Sequence, residues 1–364
     1  MNIFNTPENF VFITFISILI TLFTTPSIIH IARLRHLYDD IGYFRKEHDH
    51  GIPRLGGVAI FISFTITLLV FRLADNSYFI NYLLIAAIIL FAMGVKDDLS
   101  GVNSSTKFLV QFIVSLILVV LGNIRLTSMY GILGIFDLPY IISISLSILV
   151  MILVINAFNL IDGIDGLAAT TGIIANSAFS VLFIYMHHYE LAIISLAIVG
   201  SLIGFLKFNL TPAKIFMGDA GSLLIGLISV IMAIKLIEIN KFMGNNSFKI
   251  YSAPAVTVAI LIGPIFDTLR VFIIRLLKGV SPFEGDRNHI HHRMLKLGYT
   301  HLQTTIILAG LNITAIIMVL LFSSIGNFIL IVLIFLFSIL FNWTITFFIR
   351  CRERERLTLR NLFV

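Results

Sequence analysis

Five aspartates stand in three short polar islands between long apolar runs: Asp97-Asp98, Asn159-Leu-Ile-Asp162-Gly-Ile-Asp165-Gly166 and Phe216-Met-Gly-Asp219. A charge set among segments long enough to cross a bilayer is costly and marks function by default. Two ionised carboxylates about 6 Å apart repel by ~0.7 kcal/mol in water and ~3 kcal/mol at an effective dielectric near 20. One such acid alone reads as a helix cap or a solvated loop residue. Five converging from separate helices need a cation between them, either a divalent ion or basic side chains. The donors on offer (Asp, Asn and backbone carbonyl) are hard oxygens, which select Mg²⁺ or Mn²⁺ over zinc or copper. Mg²⁺ takes few protein ligands and completes its shell with water and phosphate oxygens, so a nucleoside diphosphate is a natural co-ligand.

Other residues fit around this acid set. The Asp162-Gly163-Ile164-Asp165-Gly166 loop alternates acids with residues that permit close backbone approach, and it can turn N–H groups toward a phosphate or a base edge. In Asn209-Leu-Thr-Pro212-Ala-Lys214-Ile-Phe216-Met-Gly218-Asp219, Pro212 ends one helical segment and Asp219 precedes the next. Phe216 offers a face for base stacking, or else an interfacial anchor. Downstream, Arg287-Asn-His289-Ile-His291-His292-Arg293 packs three of the ten histidines into four positions. Adjacent His291 and His292 chelate zinc poorly, so Arg287 and the imidazoles suit clamping and neutralising a transferring phosphoryl group better. Asp267 is three residues before Arg270, an i,i+3 pair that can neutralise it in a structural or supporting role. Gly56-Gly57 reads as a point of close backbone approach, and Asp39, Asp40, Glu47 and Asp49 as solvated loop acids.

The elements that must position these residues are membrane helices. The 364-residue chain is 58% hydrophobic and 12% charged, with a mean hydropathy of +1.02. That excludes a soluble enzyme and places it among all-α polytopic membrane proteins. One cysteine, Cys351, excludes an intrachain disulfide and a thiolate metal site. About eleven spans are expected, at roughly 10–32, 57–74, 78–95, 107–122, 140–158, 171–187, 190–207, 221–238, 253–275, 303–324 and 327–349. The stretch near 123–138, broken by Gly134 and Pro139, is read as peripheral. The first span has no basic flank or cleavage site and reads as an uncleaved helix. Alternate assignment of loops splits Lys and Arg roughly 20 to 5, which puts the rich side in the cytoplasm, the N-terminus outside and the C-terminus inside. Every polar island then falls on the cytoplasmic side. The whole chain, 1–364, is expected to form one transmembrane domain. Its site is built from loops at about 33–56, 96–107, 158–170, 208–220 and 276–302, and a basic tail follows from 350 to 364.

Taken together, an aspartate pair after the third span, Asn-x-x-Asp-Gly-x-Asp-Gly after the fifth, Phe-Met-Gly-Asp after the seventh and the histidine cluster after the ninth resemble the polyprenyl-phosphate N-acetylhexosamine-1-phosphate transferase superfamily. His289-Ile-His291-His292 is similar to the branch that transfers N-acetylglucosamine-1-phosphate to undecaprenyl phosphate. The peptidoglycan branch has three consecutive histidines, and Ile290 interrupts that run here. The resemblance implies a Mg²⁺-dependent transferase (Mn²⁺ as the alternative ion) of the bacterial inner membrane. It would act on UDP-GlcNAc and undecaprenyl phosphate, release UMP and open surface-glycan synthesis. Another UDP-N-acetylhexosamine or phospho-MurNAc-pentapeptide is the alternative donor.

By the same resemblance Asp219 is a metal ligand, with Asn159 or Asp162 assisting. Asp165, Asn209 and Phe216 match the uridine end. Asp97 and Asp98 face the lipid phosphate or act as base, with Lys107 as the basic residue after them. Arg287, His289, His291 and His292 match the pyrophosphate and sugar end. Partners are the bilayer and these two substrates, with no nucleic acid and a homodimer as an option. Two rival classes are weighed. A secondary transporter would hold its acids near the midplane, where Asp267 alone qualifies. An intramembrane aspartyl protease would pair Asp162 with Asp219.

Overall fold

The structure, a computed structural model, describes residues 7–37, 51–71, 78–244, 248–280 and 288–353. The solvated acids Asp39, Asp40, Glu47 and Asp49, together with Arg287 and the tail beyond residue 353, lie outside the described residues. Two compact units make up the chain: Met1–Thr127 with Leu138–Lys249, and Ser128–Asp137 with Ile250–Val364.

The first unit consists of α1 (Pro7–Leu34), α2 (Gly56–Val70), α3 (Tyr78–Ser100), α4 (Ser104–Leu116, running on into a π turn over Ile117–Leu121), α5 (Tyr140–Ile161), α6 (Leu167–Tyr185), α7 (Tyr189–Asn209) and α8 (Gly218–Phe242). Its centre is α8, which packs against α2, α3, α5 and α6. In its most apolar stretch 89% of residues are buried inside the protein. Among lipid-facing helices the hydrophobic effect gives little drive, so small and hydroxyl residues set the crossings. Ser17, Ser63 and Ser201 join α1, α2 and α7 in this way, with Ser17 Oγ donating to the Ala197 carbonyl at 2.6 Å and Ser63 Oγ to the Ser17 carbonyl at 2.7 Å. At α8 the approach is closer still. A Cβ on Gly57 would lie 2.1 Å from the Gly221 nitrogen, and one on Gly94 would lie 2.5 Å from the Ala220 Cα.

The second unit contains a hairpin, β1 (Ser128–Ile132) antiparallel to β2 (Ile135–Asp137), followed by α9 (Ala253–Ile260), α10 (Ile262–Leu277), α11 (Ile290–Lys296), α12 (His301–Leu321) and α13 (Asn327–Glu353). A capping box opens α12, in which Thr300 and Gln303 exchange hydrogen bonds.

Nine helices among the described residues are long and apolar enough to cross a membrane, so the chain is a multi-pass membrane protein. All eleven expected stretches hold helix, with three departures. The second, α2, has only 15 residues. The peripheral stretch carries a β-hairpin, so the fold is not wholly helical. The ninth is a pair of helices bent by 75° rather than a continuous span. Pro264 explains the bend: it has no N–H to give the Ile260 carbonyl, and its ring clashes there. Asn312 on α12 repairs the loss, its Nδ2 donating to the Ile260 carbonyl at 3.1 Å and its Oδ1 accepting from the Gly263 N–H at 3.3 Å.

Candidate active site

The three acid islands meet at one end of the first unit, where α3, α5 and α7 finish and α4, α6 and α8 begin. Oxygens of Asp97, Asp98 and Asp219 lie within 4.8 Å of one another. Lys107, from the first turn of α4, places its ammonium between two of them, 2.6 Å from Asp97 Oδ2 and 2.8 Å from Asp219 Oδ2. The requirement for positive charge among these acids is thus met in part by a side chain.

Each acid of the pair in the last turn of α3 is held differently. Asp97 Oδ1 accepts from the Val102 N–H at 2.7 Å, which fixes the turn into α4. Asp98 reaches across to α8, with Oδ1 accepting from the Asp219 N–H at 2.8 Å and Oδ2 from the Ala220 N–H at 3.1 Å. These are first-turn N–H groups with no partner inside the helix, and a carboxylate there also meets the positive end of the helix dipole. Asp98 is therefore an inter-helix cap that sets the height of Asp219. The cap works only because residue 218 is glycine. Its φ is +74°, and a Cβ would lie 2.3 Å from the Arg54 carbonyl oxygen and 2.6 Å from Asp98 Oδ1.

Asn159, on the last turn of α5, bonds the Asp219 side chain and donates from Nδ2 to Ser222 Oγ at 3.0 Å. Asp162 terminates the same helix. Desolvation, then the charges of Asp219 and Asp98, push its carboxyl well above the ordinary range; the Gly218 N–H and Arg54 oppose the shift. Asp162, Asp98 and Asp219 thus oppose one another's ionisation, a crowding of negative charge that a nearby cation would relieve.

Asn209 latches two loops, its Oδ1 accepting from the Gly166 N–H and its Nδ2 donating to the Ile215 carbonyl, both at 3.0 Å. Its amide is buried and engaged at both ends. Half-buried Asp165 and Phe216 lie in the two loops so joined. Phe216 is gripped through its backbone: its N–H donates to the Pro53 carbonyl at 2.8 Å and its carbonyl accepts from the Gly56 N–H at 2.9 Å. Gly56-Gly57 thereby acquires its purpose, as the strip against which the Phe-Met-Gly-Asp loop is laid.

The histidine segment belongs to the second unit. His289, at the start of α11, points Nδ1 at Asp267 Oδ2, 3.0 Å away. His291 is 1% exposed, and burial pushes its pKa down to about 3, with Asp267 opposing and His292, His289 and His301 adding to the drop. Arg293 anchors α11 to α13 through Asn342 and Thr346.

Sequence reasoning overlooked three features: Arg54 beside Asp162, Gly94 beneath Asp219, and Asp98 as a cap. The glycines were visible, but nothing in a linear pattern pairs Gly94 with Ala220 or Asp98 with residue 219.

The family model for "Glycosyl transferase family 4" matches residues 80–237, a stretch that contains every acid of the site. A decaprenyl-phosphate N-acetylglucosaminephosphotransferase of Mycolicibacterium smegmatis is 33% identical over 285 residues, 72% of this chain and 70% of that protein. The chain belongs to glycosyl transferase family 4. Among other family members, a probable undecaprenyl-phosphate N-acetylglucosaminyl 1-phosphate transferase of Bacillus subtilis is 32% identical over 80% of this chain and 79% of its own. An undecaprenyl-phosphate alpha-N-acetylglucosaminyl 1-phosphate transferase of Escherichia coli O157:H7 is 29% identical over 73% and 71%. In this family 4 chain the matched stretch includes Lys107 and Asn209 but stops short of the histidine segment and of Arg54.

Proposed function

We propose that this chain transfers N-acetylglucosamine-1-phosphate from UDP-GlcNAc to a polyprenyl phosphate at the cytoplasmic face of a bacterial inner membrane. The single observation that carries the reading is the convergence of Asp97, Asp98 and Asp219 around a cation position at one end of a membrane bundle. Relatives acting on decaprenyl and undecaprenyl phosphate support it, and the split of basic residues supports the orientation.

In the reaction an oxygen of the lipid phosphate attacks the sugar-linked phosphorus, the anhydride bond to UMP breaks, and a polyprenyl-diphosphate-sugar forms. One phosphoanhydride replaces another, so the protein's work is positioning and charge compensation. The nucleophile's second pKa lies near 6, so no strong base is required. The oxygen-only cluster of Asp97, Asp98 and Asp219, with Asn159 and Asp162 beside it, fits Mg²⁺ or Mn²⁺. Such an ion would offset the diphosphate charge. Lys107 supplies a fixed positive charge between Asp97 and Asp219, and Asp98 holds the start of α8. Asn209 acts as a latch for the loops bearing Asp165 and Phe216, which take the uridine end. His289, His291 and His292 serve the sugar and phosphate end.

The deciding assay is purified protein with undecaprenyl phosphate, Mg²⁺ and a panel of UDP-sugars. UMP and lipid-linked GlcNAc phosphate are expected, and excess EDTA should stop both. Lack of product from every donor would overturn the reading. Phe216→Ala should raise KM for the UDP-sugar by about 10–100-fold, the ~1–3 kcal/mol of a lost base–aromatic stack, with a smaller effect on kcat. Unchanged nucleotide affinity would make Phe216 an anchor only.

Asp162 also gives a pH signature. Its carboxyl is raised in the folded protein, so the folded state binds that proton more tightly than the unfolded chain. Without divalent ion, stability from this group is greatest at low pH and is lost as pH rises upward from the ordinary carboxylate range. Added Mg²⁺ should flatten that decline and bind more tightly as pH rises. Thermal melts in detergent with and without Mg²⁺ test this, and parallel curves would count against Asp162 as a neighbour of the ion.

A further inference from the structure

Asp267 is a buried acid on α10 to which the transfer reaction assigns no part. It does not stand alone: Oδ1 accepts from Arg270 Nη2 at 2.9 Å and from the Ile290 N–H at 3.0 Å, and Oδ2 faces His289 Nδ1 at 3.0 Å. Arg270 also donates to the Asn288 carbonyl. Asp267 with its partner Arg270 thus ties together α10, the residue before His289, the His289 ring and the first residue of α11.

A carboxylate can only accept, so the proton on His289 must sit on Nδ1. Arg270 already balances the Asp267 charge, so the ring can remain neutral and still satisfy Oδ2. The second nitrogen, Nε2, is then the acceptor. His289 in turn lies parallel to His291, with centroids 5.7 Å apart and planes at 10°, and His291 is 4.2 Å from His292.

We infer that Asp267 is the positioning residue of the histidine segment, holding His289 as the Nδ1–H imidazole and leaving Nε2 to take a proton from solvent water and donate it to a phosphate oxygen. The imidazolium so formed keeps its Nδ1–H hydrogen bond to Asp267 Oδ2, an arrangement in which a buried acid orients a working imidazole without itself reacting. The inference rests on the reading that this segment serves the sugar-phosphate end. Asn312 contributes indirectly, because the bend it stabilises sets the direction in which α10 carries Asp267.

Two measurements on the full chain in lipid nanodiscs test it. The first is the ¹⁵N spectrum of histidine-labelled protein above the ring's titration, with His289 assigned through His289→Gln. A protonated Nδ1 is expected, and a protonated Nε2 overturns the inference even if no Asp267 variant folds. The second is the pH profile of Asp267→Asn. Its kcat should fall by roughly 10²–10⁴-fold, the usual contribution of a positioned proton-transfer group, with little change in KM. The alkaline limb should also move to lower pH, since the amide no longer stabilises the imidazolium. Among the described residues, the other charged or titratable groups of this cluster are Arg270 on Asp267, His291 and His292 beside the ring, His301 beside His291, and Arg293 with Arg350 beyond them; all are retained in the variant. A variant slowed with its limb unmoved would make Asp267 purely structural and overturn the inference. Wild-type protein that carries the Nδ1 proton yet transfers no sugar phosphate would support the dyad and overturn only the transferase reading.

Discussion

Asp219→Ala is expected to abolish sugar-phosphate transfer while leaving the membrane bundle folded. Its carboxylate is the element common to the whole cluster: it shares Lys107 with Asp97, bonds Asn159 and stands within ligand distance of Asp98. Removing one such preorganised electrostatic group costs about 10²–10³ in kcat, and loss of the bound ion would add to that. The fold should persist because the Asp98 cap uses the backbone N–H of residue 219, which alanine keeps, and Lys107 retains Asp97. Turnover, together with the melting temperature with and without Mg²⁺, checks both halves. Wild-type protein should be stabilised by the ion and the variant should not, whereas wild-type turnover in the variant would remove Asp219 from the site.

Gly218→Ala should be nearly as damaging by a different route. Holding alanine at positive φ costs of order 1–3 kcal/mol, and the new methyl would meet the Arg54 carbonyl and the Asp98 carboxylate, both closer than any Cβ contact tolerates. Relief requires α8 to withdraw from α2 and α3, which breaks the Asp98 cap and displaces Asp219. Misplacement by about 1 Å can cost ~10²-fold in rate, so both a lower melting temperature and a hundredfold or greater loss of transfer are expected. A variant that melts normally and turns over normally would show that the loop does not depend on this backbone geometry.

The local features of the chain were readable in its sequence. Apolar runs of spanning length located the helices, polar islands between them located the acids, and helix alternation put those acids at one end, because each signal depends only on residue type and distance along the chain. Residue type marks Pro264 as a breaker within the 253–275 stretch, but the partner that sustains a 75° bend there, Asn312, lies 49 residues downstream of Gly263. What the tertiary structure alone decided was the height and rotation of each helix against its neighbours. Those depend on backbone approaches such as Gly57 to Gly221 and Gly94 to Ala220. From them follow the placement of Lys107 between Asp97 and Asp219, the capping of α8 by an aspartate 121 residues upstream, and the grip of Asp267 on His289. Hydrogen bonds between residues so far apart leave no periodicity in the chain, since their partners are chosen by packing rather than by spacing.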